Sequence, residues 1–335
     1  MRGVSTAALT EARWALKKTP FTIFTRPDYS RFMLRQDGTT EDLPPLTVAA
    51  DSAAFPFDPP SWVHAAAHAR PTDPTQLRVV TWNVWFDRLA QAQRYEALFA
   101  QVLALAADVV CLQEVTPQFL AAVEHSVLLQ AVYTHSPAPV YPYGCLILAR
   151  RTLEPAFDHV PLPSRMDRVL IVCRVIGGAV GTVHLESLNS PIVRDEQLRV
   201  CEAALAPFTN AILCGDFNFD DTQAWGSWHR PSNAPLENDV LATVLHAYVD
   251  VWTYLRPHDR GATFDGGNNP RCIADPLEVM RYDRIMLKRG AWTPGSIALL
   301  GEAPLDPTGM KVSDHYGLAL DCIVNHGSHH ETTDL

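Results

Sequence analysis

The sequence predicts a fold of two β-sheets that pack against each other and are flanked by helices. Short runs rich in apolar and β-branched residues recur from Leu77 onward, which is the pattern of buried strands. Helical stretches separate some of these runs, whereas short turns separate others. A doubly wound parallel sheet would need a helix at nearly every crossover, so the pattern favours two packed sheets.

Nine segments have the apolar composition of strands. In chain order they are RVVTWNVW, ADVVCLQE, GCLILARR, VLIVCRV, AVGTVHLES, NAILCGDFN, YDRIMLK, SIALLG and HYGLALDCIV. Helical periodicity predicts four helices over Ala90–Ala106, Pro117–Gln130, Val193–Ala206 and Asp239–Leu255. The second helix has the clearest start, because Thr116 can serve as its N-cap and Pro117 occupies the first helical position.

The first 75 residues differ in sequence pattern from the rest of the chain. Residues 6–18 can form an amphipathic helix, for which a mitochondrial presequence is an alternative interpretation. The segment FTIFTRPDYSRFMLRQDG predicts a hairpin, and a proline-rich connector over residues 44–74 indicates a boundary. We therefore expect an N-terminal extension of unknown role over 1–75, a main domain over 76–325 and a disordered polar tail over 326–335.

The composition excludes several classes of protein. Of the 335 residues, 47% are hydrophobic and 19% charged, so the chain is neither a disordered tail nor a polycationic nucleic-acid coat. The net charge of −10 argues against bulk electrostatic capture of nucleic acid, although it allows a small basic groove at a metal site. No apolar run approaches the roughly 18 residues of a membrane span, and no signal-peptide core begins the chain. We expect a soluble, intracellular protein.

Seven cysteines are present without the spacing of a zinc site. Four of them fall inside apolar strand-like runs, namely Cys111, Cys145, Cys173 and Cys214. A buried thiol inside a strand behaves as a small apolar residue. The sequence therefore predicts buried free thiols in a reducing compartment.

Polar residues end several of the predicted strands, and this placement is the main functional signal. Strand ends at one edge of a sandwich can converge on a single site. Taken alone, each residue would be a solvated turn residue, but several in one chain, all of hydrolytic types, indicate a site. The strands end in Asn83, Gln113–Glu114, His184–Leu185–Glu186–Ser187, Gly215–Asp216–Phe217–Asn218 and Ser313–Asp314–His315.

The ordered motifs T-W-N, L-Q-E, H-L-E-S, G-D-x-N, Y-D-R-I and S-D-H resemble the signature of the endonuclease/exonuclease/phosphatase superfamily, from about residue 78 to residue 324. Within it, the spellings TWNVWFD, VHLES, PLPSRMDRVL, VDVWTYL, ATFD, RYDRIML and SDHYGL are most similar to the tyrosyl-DNA phosphodiesterase 2 branch. The resemblance implies an α/β (α+β) fold of the DNase I-like type, a four-layer αββα sandwich of two mixed sheets with flanking helices.

Phosphodiester hydrolysis explains why these residue types recur. It needs a hard cation, a base that activates water and donors for the charge of the transition state. Glu114 and Asp314 suit Mg²⁺, with Mn²⁺ possible, because these ions prefer oxygen ligands. Asp216 is the candidate base, and Asn218 shares its face of an extended segment, where it can hold the phosphate or the attacking water. Asn83 can order the water shell of the cation.

His184 and His315 are the remaining candidates for stabilising the negative charge of the phosphate. His315 and His184 can each donate to a phosphoryl oxygen, and a carboxylate on the other ring nitrogen can hold the tautomer. The resemblance implies that Asp283 orients His315, and Ser187 adjoins the His184 motif as a substrate-binding candidate.

Aromatic and basic residues near the motifs are candidates for holding the rest of the substrate. Phe264 and Tyr143 lie at positions where the family has residues that contact DNA, and stacking of a base contributes about 1–3 kcal/mol. Arg165 and Arg168 are the first cationic candidates, with Arg194, Arg281 and Arg284 as further sources of positive potential. Packing in the core and surface salt bridges are the alternative interpretations of these side chains.

The resemblance implies a Mg²⁺-dependent phosphodiesterase, acting as a monomeric catalytic domain without membrane attachment. Its substrate would be DNA, or RNA, with a 5′-tyrosyl protein adduct, as in repair of topoisomerase-type adducts in the nucleus or cytoplasm. Tyrosine's phenol has a pKa near 10, so this leaving group needs little help from an acid. Two alternatives remain: a general nuclease or phosphatase acting on nucleic acid, nucleotide or lipid head group, and a binding protein that has lost catalysis.

One position departs from the branch. Asp220 stands where the family usually has an arginine two residues beyond the G-D-x-N asparagine. In the family that arginine lies beside the aromatic residue that contacts DNA, so the handling of a DNA end is the property most affected. The family's ubiquitin-binding N-terminal module is not recognisable in this sequence.

Overall fold

The structure is a computed structural model of the chain, and it describes residues 21–25, 31–35, 39–43, 75–137, 141–225, 231–232, 235–272 and 278–324. The predicted helix over residues 6–18, the whole proline-rich connector over 44–74 and the C-terminal tail lie outside these residues. The chain divides into two compact units, Met1–Asp58 and Pro59–Leu335.

A small antiparallel sheet forms in the first unit. Strand β1 (Phe21–Thr25) pairs with β2 (Arg31–Arg35), and β2 pairs with β3 (Thr40–Leu43). The predicted hairpin is therefore confirmed, with a third strand that the sequence analysis did not predict.

The second unit contains two six-stranded sheets. The first sheet has the order β18-β19-β4-β5-β7-β6, and the second has the order β14-β17-β11-β10-β9-β8. The strands of the first sheet are β4 (Gln76–Asn83), β5 (Val109–Val115), β6 (Tyr133–His135), β7 (Gly144–Arg150), β18 (Trp292–Leu300) and β19 (Gly317–Val324). Those of the second sheet are β8 (Ala156–Pro161), β9 (Val169–Val175), β10 (Gly178–His184), β11 (Ala211–Asp216), β14 (Tyr248–Asp250) and β17 (Asp283–Lys288).

Both sheets are mixed, because each contains one parallel pair. Strand β4 runs parallel to β5, and β10 runs parallel to β11, whereas the other neighbours are antiparallel. Two further pairs are short: β12 (Ala224–Trp225) with β13 (Pro231–Ser232), and β15 (Phe264–Asp265) with β16 (Val279–Met280).

Two helices agree with the prediction and two do not. Helices α1 (Gln91–Leu105) and α4 (Pro191–Leu205) cover the first and third predicted segments. The second segment is split into α2 (Pro117–His125) and α3 (Val127–Val132), because Ser126 adopts an extended conformation between them. Thr116 caps α2 as predicted, by accepting a bond from the Phe119 amide.

The fourth predicted helix, Asp239–Leu255, was wrong as a continuous element. It consists of α5 (Asp239–Val244), strand β14 and α6 (Val251–Leu255). The interruption arises because Tyr248 and Val249 pair with Lys288 and Leu287 of β17 and extend the second sheet by one strand. Helical periodicity cannot detect this long-range pairing.

Three apolar cores make the layers of the sandwich. The central core lies between the sheets and joins residues such as Val79, Cys111, Ile212 and Ile285. The outer cores pack α1 and α2 on the first sheet and α4 and α5 on the second. All seven cysteines are buried and free, as predicted. Within the described residues, no helix is both long and apolar enough to cross a membrane.

The parallel pairs bring the polar strand ends together. Asn83 at the end of β4 is the register partner of Gln113 on β5, and His184 on β10 is the partner of Asp216 on β11. Gly215 allows the last step of β11, since its φ is 136° and a Cβ there would lie 1.9 Å from the Val183 carbonyl oxygen. One edge of the sandwich therefore collects the motif residues.

Candidate active site

The centre of the candidate site is a buried triplet of Asn83, His184 and Asp216. The Asn83 amide donates from Nδ2 to Oδ2 of Asp216 at 3.0 Å, and His184 Nε2 lies 3.5 Å from the same oxygen. Burial raises the pKa of Asp216 to about 6, an effect that His315 and the Asn83 hydrogen bond oppose and the Asp283 charge strengthens. Asp216 is thus a buried carboxylate with a raised basicity.

A histidine–carboxylate pair adjoins this triplet. His315 Nδ1 lies 2.7 Å from Oδ2 of Asp283, which is itself fully buried. Burial alone would lower the pKa of His315, but the charge and hydrogen bond of Asp283, with Asp314 and Asp216, raise it well above its usual value. His315 is therefore an imidazolium at neutral pH, with Asp283 in the orienting position that the resemblance implied.

Glu114 and Asp314 form a second carboxylate pair on the first-sheet side. The Phe86 amide donates to Glu114 Oε2 at 3.0 Å, and Ser313 Oγ lies 3.3 Å from Asp314 Oδ1. Burial raises the pKa of Asp314 to about 7; His315 opposes this shift and the charge of Glu114 adds to it. Glu114 and Asp314 are neighbouring carboxylates whose negative charges repel each other, and both offer oxygen ligands. Such a pair fits a hard divalent cation.

A different triplet also meets the spacing of a metal site. Ligand atoms of Asp216, Asp283 and His315 all lie within 4.8 Å of one another. However, Nδ1 of His315 is already bonded to Asp283, and a protonated imidazole offers no lone pair to a metal. The donor set of Glu114 and Asp314 therefore fits a cation better than this triplet does.

Arg168 is the cation that the structure brings to the centre. It is buried, its guanidinium donates to His184 Nδ1 at 3.0 Å and to Ser187 Oγ at 2.8 Å, and it lies 5.5 Å from the Tyr143 ring. A donor on Nδ1 leaves the proton of neutral His184 on Nε2, which faces Asp216. Burial, then Arg168 and His315, lower the pKa of His184 well below its usual value.

Asn218 and Phe264 border the site on the second-sheet side. The backbone amide of Asn218 donates to Asp216 Oδ1 at 2.9 Å, while the Asn218 side chain donates to the Leu185 carbonyl. Phe264 is half-buried, and its ring lies 5.1 Å from the His315 ring and 5.6 Å from that of Tyr282. Asn218 and Phe264 thus both lie beside the catalytic candidates.

A cavity of about 220 Å³ connects these groups. The candidates on its wall are Glu114, His184, Ser187, Asp216, Asn218, Phe264 and His315. Two of the residues at the centre, Glu114 and Asn218, have left-handed backbones with φ of 60° and 58°, as does nearby Trp85. Such conformations are costly for residues other than glycine and concentrate at functional sites.

Several acidic and basic candidates lie elsewhere or are already paired. Glu186 is fully buried and accepts bonds from Ser164 Oγ and the Arg165 amide, because β10 ends at His184 and the chain then turns away. The Arg165 side chain is exposed. Three arginines form buried ion pairs: Arg194 with Glu237, Arg281 with Asp221 and Asp250, and Arg284 with Asp250. These ion pairs agree with the salt-bridge interpretation, which the sequence analysis gave as the alternative for these side chains.

Asp220 has a structural role in the turn after the G-D-x-N motif. It is buried, and its carboxylate accepts bonds from the backbone amides of Thr222, Gln223 and Arg281. These bonds lower the pKa of Asp220 although its burial acts in the opposite direction. The side chain therefore closes the turn.

Three further residues support the site. Arg94 donates to the carbonyls of Val84, Trp85, Asp87, Leu89 and Val312. Gln113 donates to Thr182 Oγ1 across the two sheets, and Phe86 stacks on Tyr143. The sequence analysis placed Gln113 at a strand end and Phe86 in the TWNVWFD spelling without a role for either, and it did not mark Arg94.

The family model described as "Endonuclease/Exonuclease/phosphatase family" matches residues 80–315, which is most of the chain. The chain belongs to this family. No curated protein matches it in sequence. The matched region contains the full set of strand-end candidates from Asn83 to His315.

Solved structures extend this assignment to the fold. TDP2 from D. rerio, complexed with a single-strand DNA product, is 24% identical, with a TM-score of 0.62 over 74% of this chain and 99% of that one. Truncated TDP2 from Caenorhabditis elegans is 20% identical, with a TM-score of 0.61 over 75% and 99%. An endonuclease/exonuclease/phosphatase from Bacteroides vulgatus is 14% identical, with a TM-score of 0.56 over 75% and 100%. The predicted DNase I-like sandwich and the resemblance to the tyrosyl-DNA phosphodiesterase 2 branch are confirmed.

Proposed function

We propose that the protein is a divalent-metal-dependent phosphodiesterase that hydrolyses 5′-phosphotyrosyl linkages at DNA, or RNA, ends and leaves a 5′-phosphate. The observation that carries this proposal is the convergence of the buried Asp216 carboxylate, His184, His315 and the Glu114 carboxylate on the wall of one cavity. We assign the activity to residues 76–325, and repair of topoisomerase-type protein–DNA adducts is the process it would serve.

Asp216 is the proposed base. With a pKa of about 6 it is ionised at neutral pH and is still more basic than an ordinary aspartate, which suits removal of a proton from water. The Asn83 amide holds Oδ2 and the Asn218 backbone amide holds Oδ1, so both oxygens have a defined direction. Asn218 borders the cavity, where its side chain can contact the attacking water or the phosphate.

His315 and His184 are the proposed phosphate donors. His315, held by Asp283, presents a positive charge to the non-bridging oxygens, where charge develops in the transition state. His184 stays neutral and donates through Nε2, since Arg168 occupies its Nδ1. Ser187 is bonded to the same guanidinium and so belongs to this phosphate-binding group.

Glu114 and Asp314 are the proposed ligands of the cation, with Mg²⁺ as the first choice and Mn²⁺ as a substitute. When bound, the cation supplies Lewis-acid neutralisation of phosphoryl charge. Because Glu114 and Asp314 belong to the first sheet, they would hold the cation on that side of the site, opposite Asp216 and His184 of the second sheet.

The tyrosyl substrate is supported by leaving-group chemistry and by similarity. A phenol with a pKa near 10 departs without a strong general acid, and we assign no side chain of the described site to that role. TDP2 from D. rerio, which shares the fold, was solved with a single-strand DNA product. Because Arg194, Arg281 and Arg284 are paired with carboxylates, we expect few phosphate contacts and a shallow salt dependence.

The test is hydrolysis of an oligonucleotide with a 5′-phosphotyrosyl end in the presence of Mg²⁺. We expect a 5′-phosphate product, identified by its mass and by its acceptance by DNA ligase. Asp158→Asn, an exposed second-sheet carboxylate, is the matched control for loss of Asp216. Cutting of abasic or plain duplex DNA without release of tyrosine would reject the proposal.

The second candidate is the small-substrate form of the general alternative, a phosphatase or phosphodiesterase that acts on a nucleotide or a lipid head group. It is favoured by one observation: the outer wall of the cavity carries Asp220, Glu237 and Glu278 and a single arginine, Arg194, which is paired with Glu237. Such a wall disfavours a long polyanionic strand. Comparing a tyrosyl mononucleotide, a tyrosyl oligonucleotide and a plain phosphomonoester separates the two candidates.

A further inference from the structure

Phe86 is the largest exposed aromatic side chain at the edge of the site. Its relative exposure is 47%, and its ring stacks on Tyr143 with a centroid distance of 4.9 Å and an angle of 16°. Its own backbone amide donates to the carboxylate of Glu114. An exposed apolar ring beside a proposed cation ligand is unfavourable in water unless a ligand covers it.

The loop that carries Phe86 is held rigidly. Arg94, which is buried, donates to the carbonyls of Val84, Trp85, Asp87 and Leu89, and its guanidinium lies 4.5 Å from the Trp85 ring. The Trp85 amide in turn donates to Asn83 Oδ1, and Trp85 has a φ of 60°. The position of the exposed ring is therefore set before any ligand binds, which lowers the entropic cost of binding.

Two aromatic groups lie next to different histidines of the candidate site. Phe264 lies beside His315, whereas the Phe86–Tyr143 stack lies beside Glu114 and His184, with the Tyr143 ring 6.1 Å from the His184 ring. A phosphodiester has two organic substituents, so two aromatic surfaces provide one for each. Phe264 is already the candidate for the nucleotide side.

We propose that Phe86 determines specificity for an aryl leaving group, by extending the Tyr143 ring into a surface on which the tyrosyl ring packs. This inference rests on the proposed function and assigns a role to a residue of the TWNVWFD spelling that the sequence analysis left without one. Phe86 contacts the departing group, and it neither holds the phosphate nor moves a proton. Its loss should therefore weaken binding of aryl substrates and leave the chemical step unchanged.

The experiment compares Phe86→Ala with the wild-type protein on two oligonucleotides, one with a 5′-phosphotyrosyl end and one with a 5′-phosphoseryl end. Aromatic packing is worth about a three- to tenfold effect, so we expect KM for the tyrosyl substrate to rise by that factor with kcat unchanged. The kcat/KM for the seryl substrate should stay within twofold. Phe86→Tyr should retain the wild-type KM, and Leu89→Ala, an exposed apolar residue of the same loop, is the control.

The outcomes separate this inference from the proposed function. Equal losses on both substrates, or no loss on the tyrosyl substrate, would overturn the role of Phe86 while the wild-type enzyme still confirms tyrosyl hydrolysis. If the wild-type protein cuts other phosphodiesters but not the tyrosyl end, both the proposed function and the role of Phe86 are rejected. Melting temperatures of the variants should match the wild type, because the Phe86 ring is half exposed.

Discussion

The two sheets contribute different chemistry to the same site. The first sheet brings acidic oxygen ligands and an amide, with Glu114 on β5, Asn83 on β4 and Asp314 just before β19. The second sheet brings the candidate base and a neutral histidine, with Asp216 on β11 and His184 on β10. Neither sheet alone has a complete hydrolytic set, so the site depends on how the sheets meet.

Three hydrogen bonds join the two sheets at this edge. Asn83 donates to Asp216, His315 bonds Asp283 and Gln113 donates to Thr182. The first two pass through catalytic candidates, whereas the third lies beneath them in the core. Two of these bonds therefore involve residues proposed for catalysis, whereas the Gln113–Thr182 bond only holds the two sheets together.

Removal of the second-sheet base should have the largest effect. Asp216→Asn keeps the shape of the side chain and cannot accept a proton from water, so we expect kcat/KM to fall by about 10³-fold. Activity is measured on the 5′-phosphotyrosyl oligonucleotide, with Asp158→Asn as the control. Activity within tenfold of wild type would assign the base to another group.

Removal of the first-sheet carboxylate should rank second and change the metal response. We expect Glu114→Gln to lower kcat/KM by about 10²-fold and to flatten the dependence on Mg²⁺ concentration. Glu124→Gln changes an exposed glutamate of α2 and should leave both unaffected. Full wild-type activity in excess chelator would contradict the assignment of a metal site.

Disruption of the His315–Asp283 bond should make the activity sensitive to pH. Asp283 raises the pKa of His315, so in Asp283→Asn that pKa falls and the imidazolium is lost as pH rises. The same change lowers the pKa of Asp216, which favours the variant at low pH. We expect the variant's deficit to be about tenfold larger at pH 8 than at pH 6. An equal deficit at both pH values would show that Asp283 acts without His315.

The smallest effect is expected for the bond in the core. Thr182→Val removes the acceptor of the 2.9 Å bond from Gln113 and should lower the free energy of unfolding by about 1 kcal/mol. Turnover should stay within threefold, because no catalytic candidate is touched. Thr182→Ser keeps the hydroxyl and serves as the control. A large loss of activity with unchanged stability would mean that the core bond also positions the site.

Much of this arrangement could be predicted from local sequence. Strand β9 has the predicted bounds, and the Thr116 cap is confirmed, since both depend on neighbouring residues alone. The placement of His184 and Asp216 at strand ends also followed from the pattern of apolar runs, whereas the pairing of these two strands is a finding of the structure.

The errors came from interactions between distant segments. Pairing with β17 converted residues 248–250 of the predicted helix into a strand, and no local periodicity marks that partner. Glu186 lies outside the site because β10 ends two residues before it. The aspartates that pair with Arg281 lie 60 and 31 residues away in sequence, so the sequence left its positive-potential and salt-bridge interpretations both open. Phe86 stands in the TWNVWFD spelling, but a single exposed aromatic residue gives no pattern that assigns it a role.

The seven buried thiols provide a natural probe of the sandwich's opening. Cys111, Cys173 and Cys214 lie in the central core between the sheets, and burial raises the pKa of Cys173 to about 12. A water-soluble alkylating reagent can reach such sulfurs only when the sheets separate, and it reacts with the thiolate form. Mass spectrometry of the labelled protein would therefore time that separation cysteine by cysteine, without any engineered label.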